Sequence, residues 1–107
     1  MNLNESIQAL IASIQSSKEY GDFSKSKSLI DASPVLKENL KDFYQKQADL
    51  YNSKLEPQEF EVKAKELDTL YLQLLKTKEF SSFDKTSKNL EDSLHKIFKN
   101  IEDALYL

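Results

Sequence analysis

The sequence has no cysteine and no arginine, one glycine, one histidine and two prolines among its 107 residues. Without cysteine there are no disulfide staples, no thiolate chemistry, no zinc ribbon and no iron–sulfur ligation. Without arginine the chain lacks the guanidinium forks that read bases and clamp phosphates in pairs. Its lysines are interleaved with acids, as in Lys63-Ala64-Lys65-Glu66, and gather into no basic stripe, so no direct nucleic-acid partner is expected. A single glycine leaves no phosphate-cradling loop and argues against a loop-rich β-sandwich. The apolar runs all fall short of the ~20 residues of a membrane span. The first residues lack the basic flank and unbroken apolar core of a secretory signal, so a cytoplasmic protein is expected.

What is present points to helices. Apolar residues make up 39% and charged residues 31%, with a formal charge of -3, a balance too apolar for a disordered tail. The length fits one domain, residues 1–107, of an all-α class: four to five amphipathic helices in antiparallel hairpins with a long C-terminal helix. Asn2 followed by Glu5 resembles a capping box, and Leu3, Ile7, Leu10, Ile11 and Ile14 form one apolar stripe over residues 3–15. Only Glu5 is charged in that segment, so this helix is expected to pack on two neighbours. Ser17 caps a second helix carrying Tyr20, Phe23 and Ile30, interrupted by Gly21, which marks either a bend or a close backbone contact. Asp31-Ala32-Ser33-Pro34 is the clearest boundary, with a cap followed by proline in the first turn. A third helix runs from Pro34 to Asn52 on Leu36, Leu40, Phe43 and Leu50, widened by Tyr44 and Tyr51. Pro57 opens a fourth, where Phe60, Ala64, Leu67, Tyr71 and Leu74 alternate four and three. Thr77 caps a fifth, roughly 78–105, on Phe83, Ser87, Leu90, Leu94, Ile97, Ile101 and Ala104.

Residues 3–31 echo residues 63–91 at an offset of 60. Ser17-Lys18-Glu19-Tyr20 answers to Thr77-Lys78-Glu79-Phe80, and Phe23 to Phe83. The echo reads either as chance among amphipathic helices or as two similar helix pairs about a pseudo-twofold axis.

No arrangement carries chemistry. His95 has Glu91 and Asp92 four and three residues before it, but Lys96 and Lys99 lie close and no second histidine exists, so no metal site is expected. There is no nucleophile elbow and no evident pair of carboxylates in a cleft; no catalytic residue, cofactor or enzymatic activity is expected. Apolar width is what stands out. A last helix of about 28 residues is about 42 Å long, against about 34 Å for the diameter of a compact domain of this size. An apolar seam on an overhanging helix is an interaction site, and twofold self-pairing into a dimeric helical bundle is its commonest resolution. On this reading Leu90, Leu94, Ile97 and Ile101 form a self-association seam. Tyr20, Phe23, Phe80 and Phe83 anchor packing between helix pairs or hold a partner's helix.

The order of elements resembles a known family. An N-terminal amphipathic helix leads to Ser17-Lys18-Glu19-Tyr20, then to Asp31-Ala32-Ser33-Pro34 before Leu36, Leu40 and Phe43, then to Pro57-Gln58-Glu59, and finally to Phe80-Ser81-Ser82-Phe83 before a long Leu/Ile helix. Over nearly the whole chain this is similar to the YlbF/YmcA family of small bacterial all-helical proteins. The resemblance implies a cytosolic, often dimeric regulator acting with related helical partners on competence, biofilm formation, sporulation or messenger-RNA turnover through ribonuclease Y. Some complexes of that family are associated with iron–sulfur clusters held by cysteine, ligands that this chain cannot supply. The expected function is therefore a non-enzymatic regulator or adaptor, homodimeric or paired with a related protein. A structural or chaperone-like subunit, or a toxin-neutralising small protein, is the alternative.

Overall fold

The computed structural model describes residues 1–107. It contains five α-helices and no strand, with 86% of the chain helical. They are α1 (Leu3–Gln15), α2 (Lys18–Asp31), α3 (Pro34–Tyr51), α4 (Pro57–Leu74) and α5 (Lys78–Tyr106). The all-α class is as expected, and each helix begins where the caps place it. The expected ends of α3 and α5 differ from the observed ones by one residue.

The joints explain why so few residues separate the helices. Asn2 Oδ1 accepts the Glu5 amide at 2.8 Å, capping α1. Each of the four joints then places a hydroxyl residue three positions after a leucine or isoleucine. The amides of Ser17, Ser33, Ser53 and Thr77 donate to the carbonyls of Ile14, Ile30, Leu50 and Leu74 at 3.0, 3.0, 3.2 and 3.0 Å. The Ser17, Ser53 and Thr77 hydroxyls donate to those same carbonyls at 2.6, 2.6 and 2.8 Å. Ser17, Ser33 and Thr77 in turn accept the amides of Tyr20, Leu36 and Phe80. At Ser17 and Thr77 one side chain thus bonds both a carbonyl of the helix that ends and an orphan amide of the helix that begins. At α4 no side chain caps the start, and Pro57 alone removes a donor that would lack a partner.

Gly21 needs neither of its expected explanations in full. Its amide donates to the Ser17 carbonyl at 3.0 Å, α2 is helical through it, and an added Cβ would meet nothing within 4 Å. No close backbone approach requires this glycine.

The chain divides into two compact units, with the divisions falling inside α2 and α5. One unit, residues 28–82, holds the end of α2, α3, α4 and the start of α5. Its core is Ile30, fully buried, with Leu40, Phe43, Leu50, Leu74 and Phe80. Phe43 on α3 meets Tyr71 on α4 with ring centroids 5.8 Å apart. Tyr44, Tyr51, Val62 and Leu72, which widen the stripes of α3 and α4, are exposed.

The other unit comprises residues 1–27 and 83–107: α1, most of α2 and the greater part of α5. Here α2 meets α5 through Phe23 and Phe83, with centroids 5.7 Å apart, and Tyr20 lies 6.1 Å from Phe23. The buried residues of this unit are Phe83 and Ser26. No residue of α1 is buried, contrary to the expectation that its thin polar cover reflects packing on two sides. Its apolar face is present but uncovered.

Candidate functional site: an apolar interaction surface

On an α-helix successive residues turn by about 100°, so Leu90, Leu94, Ile97, Phe98, Ile101 and Leu105 fall within an arc of about 100° on α5. These side chains are less covered in the later turns of the helix than in its first ones. Phe83, on the same arc, is buried; Leu90, Leu94 and Ile97 are half-buried. Beyond them, Ile101 is 43%, Phe98 55% and Leu105 74% exposed. On α1 the trend runs the other way: Leu3 and Ile7 are open, while Leu10 and Ile14 are half-buried. Both open faces belong to the same unit.

The residues singled out in the sequence therefore divide by environment. Phe80 and Phe83 are buried, and Tyr20 and Phe23 are half-buried. Phe23 and Phe83 are in ring contact with each other. Leu90, Leu94, Ile97 and Ile101 share one face of α5 and are the more accessible set. The contact residues expected from the sequence include neither Phe98 nor Leu105 nor any residue of α1; the lack of charge on α1 after Glu5 is the signal that points to it.

Two hollows of the molecule are each partly open to solvent. In residues 1–27 and 83–107, a hollow of about 480 Å³ is lined by Lys18, Glu19 and Asp22 of α2 and by Asn89, Asp92, Ser93 and Lys96 of α5. Lys18 Nζ donates to Asp22 Oδ2 at 2.9 Å, and that hydrogen bond holds the ammonium above its ordinary value of 10.5. Both side chains are exposed, so water screens the pair. Within residues 28–82, a second hollow of about 320 Å³ is walled by Leu50, Leu55 and Leu67, with Lys46, Asp49, Lys63 and Glu66 at its rim. His95 is exposed and lines neither. No group of three histidine, cysteine, aspartate or glutamate residues could hold a metal ion. No helix is long and apolar enough to cross a membrane.

Comparison with known proteins yields one match. The family model described as control of competence regulator ComK, YlbF/YmcA, matches residues 3–106. No curated protein and no solved structure matches the chain.

Proposed function

Since the chain belongs to the YlbF/YmcA family, we propose that it is a non-enzymatic cytoplasmic regulator that works by helix-on-helix association. The observation that carries this reading is the loss of cover along one largely apolar face of α5, from buried Phe83 to Leu105. A Leu/Ile face left open on a helix is a contact surface, and burial of its apolar area on a partner is favourable at roughly 25 cal/mol per Å² before the costs of association. Leu90, Leu94, Ile97 and Ile101 are the contact residues, and Tyr20, Phe23, Phe80 and Phe83 hold the chain's own helices in place to present them.

Two pairings favour antiparallel helix packing as the scaffold. Phe43 meets Tyr71 while Leu50, nearer the connecting turn, shares a hollow with Leu67. Phe23 meets Phe83 while Lys18, earlier in α2, shares a hollow with residues 89–96 of α5. The partner is a second copy or a related helical protein. By family likeness, the process affected is the control of ComK, with a ribonuclease as a further partner.

The test is genetic. Deletion of the gene in its source organism should change expression from a ComK-dependent promoter, and the wild-type chain should restore it while Leu94→Asp should not. An unchanged promoter, or full restoration by a stably folded Leu94→Asp chain, counts against the proposal.

A further inference from the structure

The formal charge of -3 is not spread along the chain. Residues 42–68, which run from α3 through the joint after it into α4, hold seven acids and four lysines. The rest of the chain holds eleven of each, so the whole negative excess lies in this one stretch. Its ion pairs use Asp42 with Lys46, at 3.0 Å, and Glu61 with Lys65, at 3.3 Å. Asp49, Glu59 and Glu66, all exposed, are left without a lysine at ion-pair distance.

The same stretch carries the leucine-walled hollow. Buried Leu50 and half-buried Leu55 and Leu67 line it, with Asp49 and Glu66 at the rim. Its 320 Å³ lies at the small end of the ~300–1,000 Å³ of ligand pockets, room for one bulky side chain. A neighbouring hollow of about 310 Å³ shares Lys63 and Glu66 with it and adds Glu59 and exposed Val62. The joint supplies Leu55. It has five residues where the other joints have two or three, and no side chain in it caps the helix that follows.

We infer that this end of α3 and α4 docks a basic peptide segment of a protein partner, with one bulky apolar side chain in the leucine-walled hollow and flanking cations on Asp49, Glu59 and Glu66. The inference goes beyond the association reading above. It concerns residues 28–82, whereas Leu90, Leu94, Ile97 and Ile101 lie in the other unit, so either can fail alone.

Charge selects the occupant. A surface of unpaired carboxylates repels nucleic acid and anionic lipid, and it repels the same stretch of a second copy. A metal ion finds no group of three ligands here, and a small polyamine has no bulky apolar part to fill the hollow. A peptide that alternates an apolar anchor with lysine or arginine matches both features: the anchor gives up water to the leucines, and the cations steer the encounter and set the register. The rim lysines do not reverse the sign. Lys46 is held by Asp42, and Lys63 is outnumbered by Asp49, Glu59 and Glu66.

The probe is a short labelled peptide with one central phenylalanine and lysines on both sides, titrated with the full chain in fluorescence polarisation. It should bind with a Kd below about 1 mM at low salt, more weakly as salt is raised, and amide chemical shifts should move at Leu50, Leu55 and Leu67. The same peptide with alanine for phenylalanine, or with glutamate for lysine, should bind at least about tenfold more weakly. Glu66→Lys and Glu59→Lys, both at exposed positions where folding is not at stake, should each weaken binding about tenfold. Glu102→Lys changes the net charge equally but lies on α5, and should leave binding within about twofold of the wild type. Absence of binding, equal binding of the alanine or the glutamate peptide, or equal losses from Glu66→Lys and Glu102→Lys overturns the inference.

Discussion

Phe83 and Ile101 lie eighteen residues apart on α5, which is about five full turns, so their side chains leave the helix in the same direction. Yet Phe83 is 6% exposed and Ile101 is 43% exposed. Phe83 has a neighbouring ring, that of Phe23, in contact with it. Truncation should separate the two environments. Phe83→Ala removes a buried ring and should cost about 3–5 kcal/mol, the usual range for a large core side chain. Ile101→Ala, measured by urea unfolding at low micromolar concentration, should cost about 1 kcal/mol or less. Its penalty should grow as protein concentration is raised, because association stabilises by mass action.

Ser17 and Thr77 make the same two hydrogen bonds at joints sixty residues apart, each donating to the carbonyl three residues back and accepting the amide three residues on. Alanine at either position strands the amide and leaves the carbonyl only its backbone bond, so Ser17→Ala and Thr77→Ala should each lower stability by about 1 kcal/mol, as for lost caps generally. Thr77→Ser keeps the hydroxyl and should remain within about 0.5 kcal/mol of the wild type. Equal midpoints for Thr77→Ala and Thr77→Ser in urea would show that the hydroxyl does nothing at that joint.

These joints were legible in the sequence because capping is local: Asn2, Ser17, Ser33 and Thr77 act on groups within three residues of themselves. The same locality makes the periodic stripes legible, including the steps of four and three on α5. Exposure was not legible, because it depends on what lies opposite. Phe80 and Phe83 looked as suited to a partner as Leu90 and Ile101, since spacing gives a side chain's direction but not its neighbours. On α1 the scarcity of charge predicts cover on two sides, whereas no residue of the helix is fully buried. Scarce charge on a helix marks a face that needs cover, whether or not its own chain provides it.

Gly21 illustrates a residue whose cost is not offset by any visible contact. Its backbone is helical, it is exposed, and a Cβ placed there would touch nothing. Gly21→Ala should therefore raise stability by about 0.5–1 kcal/mol, chiefly by restricting the unfolded chain. A higher midpoint in urea with an unchanged dependence on denaturant is the expected result. A loss of stability would mean that the backbone at Gly21 must open in some state other than this one.

Ser87 presents the opposite case, a polar group within an apolar line. It follows Phe83 and precedes Leu90 at the steps of four and three, and its hydroxyl oxygen is buried without a hydrogen-bond partner. The carbonyl it could most easily reach, that of Phe83, already accepts the Thr86 hydroxyl at 3.1 Å. A buried hydroxyl with no acceptor forfeits about 1–3 kcal/mol of solvation, and serine is also a weaker helix former than alanine. Ser87→Ala should then stabilise the chain by about 1 kcal/mol, read as a higher urea midpoint at low micromolar concentration. The mass on light scattering should not change, because the side chain is covered within its own chain. Destabilisation by Ser87→Ala would mean instead that the hydroxyl has found an acceptor, and a loss of mass on light scattering would place that acceptor on another chain.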